Sequence, residues 1–519
     1  MGLITSREAI DLLGHARVDL RVSEVHTLKD RHDSSQNGSG SPESVGIEAK
    51  RLVRRVVGRG ETPSTEQQCL SELYHEFEDT LEVIDAPEDG SLKSLVTFDD
   101  CKVQPVHRWY TFKEGYSHQL LATLQKWGVF PAGESLRLLD PFCGVGTTLV
   151  TASYPDQSKN FSEVVGVEVN PTIKFIAETK VNWANYDSEV IEGYITKLKA
   201  KYGRRSRVFP VPELSTFSCT RRGDKIAFHP SVIQDLLYYR QWILNCPEPE
   251  KDFLLLAWLS IIEEVSYASK DGRALRLLKK EALPDTPPNV KQALLDQLHI
   301  MKSDLIALNG RREKLQNVGS GARVVSGDAR DLPFGDRTFD AICYSPPYLN
   351  NIDYTEVYKM ELWLKGDVST QEEFRNQRLK TMRSHPSIIF PPTEKYKEVE
   401  SDQWLSRLRS ALMLALPYDE HRKQRERLFA GYIDDLLLAL GEQQRVAVPG
   451  APIVCVVGNS LFGGEKTRKI AVCTDLLIAA AAQAVGLVVE QIRIARHLPR
   501  RDNQNGWLRE SIIIMRKPN

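Results

Sequence analysis

Short apolar runs that stop at polar or glycine-rich turns alternate along this chain with longer segments whose apolar residues recur at helical spacing. Residues 136–140, 164–168, 322–326, 340–344, 452–458, 488–494 and 511–515 read as strands, because runs of this length, rich in Val, Ile and Leu and bounded by turn residues, suit a buried sheet. Helical period places helices from the turn at 141–148 through residue 150 and over 118–126, 171–181, 356–364, 404–416, 428–440 and 470–485. Strands and helices taken in turn predict an α/β fold with a doubly wound, mostly parallel sheet.

Three stretches fall outside that alternation. Between 183 and 320, the segments 231–245, 252–269 and 290–315 carry helical spacing, as in Leu294, Leu295 and Leu298, and read as a helical insertion that covers the ligand cleft or contacts substrate. Residues 1–100 read as an N-terminal extension: a helix to about residue 27 on Ile10, Leu12, Leu13 and Val18, a Gly- and Ser-rich flexible linker near 28–46, and apolar spacing without chemistry from 47. Residues 366–445 are helical and Arg-rich. On this division 101–182, 321–365 and 446–519 build the sheet domain.

Two motifs carry chemistry. In Ser345-Pro346-Pro347-Tyr348 the proline locks φ and restricts the residue before it, so Ser345 is held in one extended setting at the mouth of the sheet. Asp140-Pro141-Phe142-Cys143-Gly144-Val145-Gly146-Thr147-Thr148 is a tight turn opening a helix, and a Cβ at Gly144 or Gly146 is expected to collide with a ligand brought close to the backbone. The turn lacks both the third glycine of a dinucleotide site and the lysine of a phosphate-cradling loop. Glu168 ends the next strand about 20 residues further on, where an acidic side chain can take both hydroxyls of a ribose.

Together these motifs resemble the S-adenosylmethionine-dependent amino-methyltransferases of DNA, over roughly residues 105–180 and 320–515, about half the chain. In that family Ser at the first position of the tetrapeptide usually marks methylation of cytosine N4, and Asp or Asn that of adenine N6. The resemblance implies S-adenosylmethionine as cofactor and double-stranded DNA as partner, with a cognate restriction nuclease or defence-system subunits alongside. It assigns cofactor binding to Asp140, Phe142, Gly144, Gly146, Thr147 and Glu168, to Asp328 and Ala329 in a Gly-Asp-Ala turn that meets the cofactor's adenine, and to Tyr110 and Lys113 in a segment (107–117) over its methionine end. It assigns catalysis to Ser345, Pro346, Pro347 and Tyr348: the serine hydroxyl and the Pro346 carbonyl accept from the amine of a flipped-out base on which Tyr348 stacks. The closing strand pair resembles the methyltransferase variant of the doubly wound sheet, in which the last strand inserts antiparallel. Target recognition falls to 366–445 or to the first insertion. Adenine N6 of DNA is one alternative acceptor. Guanine N2 of transfer RNA is another, although those enzymes usually carry Asp-Pro-Pro-Tyr. An inactive methyltransferase-fold binding module is disfavoured by the complete set of motifs. Methylation at cytosine C5 needs a thiolate nucleophile, typically in a Pro-Cys pair, and the chain has no Pro-Cys.

Composition changes this picture at one point. The chain has 519 residues, 41% hydrophobic and 26% charged, as expected of two or three soluble domains, but its net charge is −1. Any DNA contact therefore has to come from local patches. Candidates are residues 201–207, Arg221-Arg222 with Lys225, the group Arg375, Arg378, Lys380 and Arg383, the group Arg496, Arg500 and Arg501, and a loop of Lys270, Arg273 and Arg276. Eight cysteines without a Cys-x-x-Cys signal neither zinc nor a disulfide framework, which fits a reducing cytoplasm. No apolar run approaches the ~18 residues needed to cross a bilayer.

Overall fold

The computed structural model describes residues 65–113, 115–131, 135–154, 160–201, 207–212, 226–270, 275–278, 284, 286–312, 321–349, 352–386, 390, 395–399, 402–463, 469–498 and 506–519. The expected N-terminal helix and linker lie outside them, as do Arg221, Arg222, Lys225, Arg273, Arg500 and Arg501.

Among the described residues the central sheet has eight strands: β1 (Val83–Ile84), β2 (Leu136–Asp140), β3 (Phe161–Glu168), β4 (Gly321–Ser326), β5 (Ala341–Tyr344), β6 (Pro452–Gly458), β7 (Val488–His497) and β8 (Arg509–Arg516). Their spatial order is β1-β7-β8-β6-β5-β2-β3-β4. All neighbours pair parallel except β8, which lies antiparallel between β6 and β7, so the expected doubly wound, mostly parallel sheet with an antiparallel last strand is present. Parallel strands covered on both faces must be apolar throughout, which is why β5 and β6 are buried at every position. From β2 the chain winds outward through β3 and β4, then returns to lay β5 against the other side of β2, with Leu138 opposite Ala341 and Leu139 opposite Ile342. That reversal opens a crevice at the carboxyl ends of β2 and β5, where Asp140 and Ser345 stand.

Three expectations need correction. Residues from 65 onward are not a separate extension. The helix Thr65–Glu78 packs Phe77 against Trp404, ring centroids 4.8 Å apart, and β1 adds to the sheet edge beside β7. Second, the segment 470–485 is not one helix, because Ile470–Val472 pairs with Ser460–Phe462 before a helix runs over Thr474–Ala484. Its β-branched opening residues favour the strand. Third, the segment 252–269 is helical only over Glu250–Ser260, after which Ala268–Ser269 forms a short hairpin with Arg276–Leu277.

The other insertion helices are Ser188–Ala200, Pro230–Ile243 and Val290–Arg312. They share one apolar core with Trp109, Ile173 and Ile176. Asp304, buried on the last of them, accepts from the backbone N–H of Val106 at 3.1 Å and from Trp109 Nε1 at 2.9 Å. Between helix and sheet, Arg509 of β8 is 3% exposed and joins Asp475 and Glu78, each at 2.7 Å. Replacing Arg509 by methionine strands two buried carboxylates. It is expected to cost about 3–5 kcal/mol of stability, read as a lower denaturant midpoint at unchanged slope.

Candidate active site

The crevice holds a pocket of about 1260 Å³, its open mouth included. Its floor is the glycine turn. Gly144 has φ +51°, and a Cβ there would come within 3.1 Å of the Phe112 ring. Phe112 is itself stacked on Tyr358 at 5.2 Å and on Tyr354 at 5.8 Å, so an aromatic lid lies over the turn. Gly146 (φ +81°) is not on the pocket wall. A Cβ there would meet Ala177 at 3.3 Å, so close packing of the helix Pro171–Val181, rather than ligand approach, requires that glycine.

Asp140 also stands behind the wall. Its carboxylate accepts from the Phe142 N–H at 3.1 Å, from the Tyr116 hydroxyl at 3.0 Å and from Thr148, which together hold the turn shut. Burial pushes its carboxyl up to about 6. Glu168, partly buried at the end of β3, lines the pocket and accepts from the Asn170 N–H at 2.7 Å. Burial raises its carboxyl to about 7, against the pull of neighbouring backbone N–H groups. Phe142, Thr147, Asp328 and Ala329 complete this side. Both oxygens of Asp328 meet Arg330, at 2.6 to 3.1 Å, and Arg330 reaches on to Asp435 at 3.0 Å.

At the other side, Ser345 and Pro347 line the pocket. Phe142 stacks at 5.5 Å on Tyr344, the residue before Ser345, which ties the catalytic strand to the turn. Pro346 and Tyr348 are buried instead of facing the pocket. Tyr348 is 6% exposed and packs against Gly458, and the Ser345 hydroxyl donates to its Oη at 3.4 Å. Tyr348 is therefore set to orient Ser345 and not, in this conformation, to stack on a base. Tyr110 and Lys113 likewise stand back from the pocket: the Tyr110 hydroxyl donates to Glu361 at 3.1 Å, and the Lys113 ammonium to the Lys270 carbonyl.

Lys380, one of the expected DNA-contacting group, lines the wall, and so do Asp353, Tyr354, Met382, His385 and Phe390, which were not expected from the sequence, whereas no described residue of the insertion 183–320 does. The spacing of Tyr354 and Tyr358, one helical turn apart behind the tetrapeptide, was an available signal for the lid. Three of the expected DNA-contacting arginines and one lysine are committed elsewhere. Arg383 is 5% exposed in an ion pair with Asp435, and Arg378 is paired with Asp353 and Glu356. Arg496 is paired with Glu510, and Lys270 with Glu361.

Over 478 residues the chain is 26% identical to the type II methyltransferase M.BsoBI of Geobacillus stearothermophilus, covering 82% of this chain and 88% of that protein. Over most of its length this chain is similar to type II methyltransferases. The type II methyltransferase M.AvaI of Nostoc sp. (strain PCC 7120) is 24% identical over 468 residues, 82% of this chain and 89% of the relative. Among solved structures, the rRNA methyltransferase aviRa of Streptomyces viridochromogenes overlays with a TM-score of 0.27 at 8% identity, covering 81% of this chain and 92% of that one. No protein-family model matches the chain. In this chain the glycine turn and the tetrapeptide share one pocket although about 200 residues separate them. No helix among the described residues is long and apolar enough to cross a membrane.

Proposed function

We propose that this protein is a DNA methyltransferase that transfers a methyl group from S-adenosylmethionine to the exocyclic N4 amine of a flipped-out cytosine, within a restriction-modification or phage-defence system. The observation that carries the reading is the shared pocket of Gly144, Glu168, Asp328 and Ser345 in a chain similar to type II methyltransferases. The wall suits the cofactor: Gly144 has no Cβ to obstruct it, Glu168 can accept from ribose hydroxyls, and Asp328, its carboxylate oriented by Arg330, lines the wall where an adenine amine would meet it. Bound there, S-adenosylmethionine supplies an electrophilic methyl group.

The chain's own task is to make a poor nucleophile usable. The lone pair of a cytosine amine is delocalised into the ring. Because the Ser345 hydroxyl gives its proton to Tyr348, its oxygen is left to accept from the amine. That acceptor favours a tetrahedral nitrogen with its lone pair turned toward the methyl donor. The base reaches this position by rotating out of the duplex. A serine is a weak general base, so the proton leaves after methyl transfer, when the amine has become acidic.

To test this, the protein is expressed, host DNA and RNA are digested to nucleosides, and methylated species are measured by mass spectrometry. N4-methylcytosine in DNA is the expected product. A mark confined to adenine or to RNA would overturn the assignment.

Glu168 gives a second check. Burial raises its carboxyl from the ordinary glutamate value of 4.5 to about 7, so the folded state holds its proton more tightly than the unfolded chain. Its contribution to stability is present below about pH 4.5 and is lost as pH rises through 7. Cofactor binding runs the other way, since ribose hydroxyls donate best to the ionised form. S-adenosylmethionine is expected to bind about tenfold more weakly at pH 6 than at pH 8, and Glu168→Gln to remove that slope in calorimetric titrations.

A further inference from the structure

One ion pair joins the helical insertion to the back of the pocket wall. Lys270, at the end of the short strand Ala268–Ser269, pairs its ammonium with the fully buried carboxylate of Glu361 and lies 4.8 Å above the Tyr358 ring centroid. Glu361 also accepts from the Tyr110 hydroxyl at 3.1 Å. Tyr358 accepts from the Lys113 N–H at 2.9 Å, and its ring lies parallel to Phe112, within 5° and 5.2 Å. Phe112 closes on Gly144. Contact is thus continuous from the insertion to the pocket floor, although no described residue of the insertion faces the pocket. A buried carboxylate is tolerated only when it is paired, and a desolvated cation over a ring holds that ring in place.

We propose that Lys270 is a positioning residue, through which the helical insertion keeps the aromatic lid of Phe112 on Tyr358 in register over the glycine turn. The proposal rests on the reading that this pocket takes S-adenosylmethionine. It accounts for Tyr110 and Lys113, which stand behind the wall: Tyr110 donates to Glu361, while Lys113 joins the Tyr358 hydroxyl through its backbone N–H and the Lys270 carbonyl through its ammonium.

The test is a titration of S-adenosylmethionine into wild type, Lys270→Met and Lys270→Arg, with hydrogen exchange followed over residues 109–117 and over β5. Lys270→Met is expected to bind about tenfold more weakly, equal to about 1.4 kcal/mol, and to exchange faster over 109–117 alone. Lys270→Arg is expected to restore both. In turnover the loss should fall on KM for S-adenosylmethionine, not on kcat. If Lys270→Met fails to fold because Glu361 is left unpaired, the double variant Lys270→Met/Glu361→Leu removes both charges and carries the same comparison. Equal affinity and equal exchange in wild type and variant overturn the proposal, as does loss of protection throughout the sheet. A wild type that binds no S-adenosylmethionine overturns instead the function proposed above, and the exchange comparison still decides the part played by Lys270.

Discussion

Ser345→Ala is expected to lower kcat for methyl transfer by about 10²–10³-fold while S-adenosylmethionine still binds. The hydroxyl stands on the pocket wall with its proton directed at Tyr348, so truncation removes an acceptor aimed at the amine and leaves the surrounding fold in place. Neither the Gly144 turn nor Glu168 contacts that hydroxyl in the bonds described above, which is why cofactor affinity should hold. Single-turnover rates and equilibrium titrations on one preparation separate the two effects. Turnover equal to wild type would take Ser345 out of the chemistry.

The other large effect is expected of Gly144→Val, which should weaken cofactor binding by at least about a hundredfold. The backbone at φ +51° lies in the left-handed region, where a side chain costs about 1–2 kcal/mol and a β-branched one is a genuine outlier. The new Cβ would also press within 3.1 Å of Phe112, whose ring is held between Tyr354 and Tyr358 and has little room to retreat. Overpacking of this kind adds about 1–3 kcal/mol. Relief comes from moving either the turn or the ring, and both movements spoil the floor of the pocket. Calorimetry on a variant whose circular dichroism matches wild type decides the point, and near-normal affinity would remove the turn from the binding surface.

Much of this architecture could be read from residue patterns. The Val- and Ile-rich runs became buried central strands, because a sheet covered on both faces needs apolar residues at every position. The tetrapeptide and the glycine turn pointed to one pocket because each ends a strand with residues that restrict the backbone. What eluded the pattern was the direction of side chains. Spacing makes Gly146 a position that clears room for a ligand, but its close neighbour is Ala177. The place of Tyr348 after two prolines suits a stacking surface, but its ring is packed on Gly458. Charge grouping puts Arg383 in a basic patch, but it is buried against Asp435. Each turns on a partner distant in the chain, which spacing and local propensity do not encode.

The pairing of β2 with β5 has a kinetic corollary. Arg137 and Asp340, which share a hydrogen bond at the foot of those strands, are 203 residues apart along the chain. The two chemical halves of the pocket therefore meet only after the slowest class of contact has formed, so helical intermediates on the way to the native state are expected to be inert. Enzymatic turnover recovered during refolding should lag behind the return of helical ellipticity, making methyl transfer itself a reporter of sheet closure.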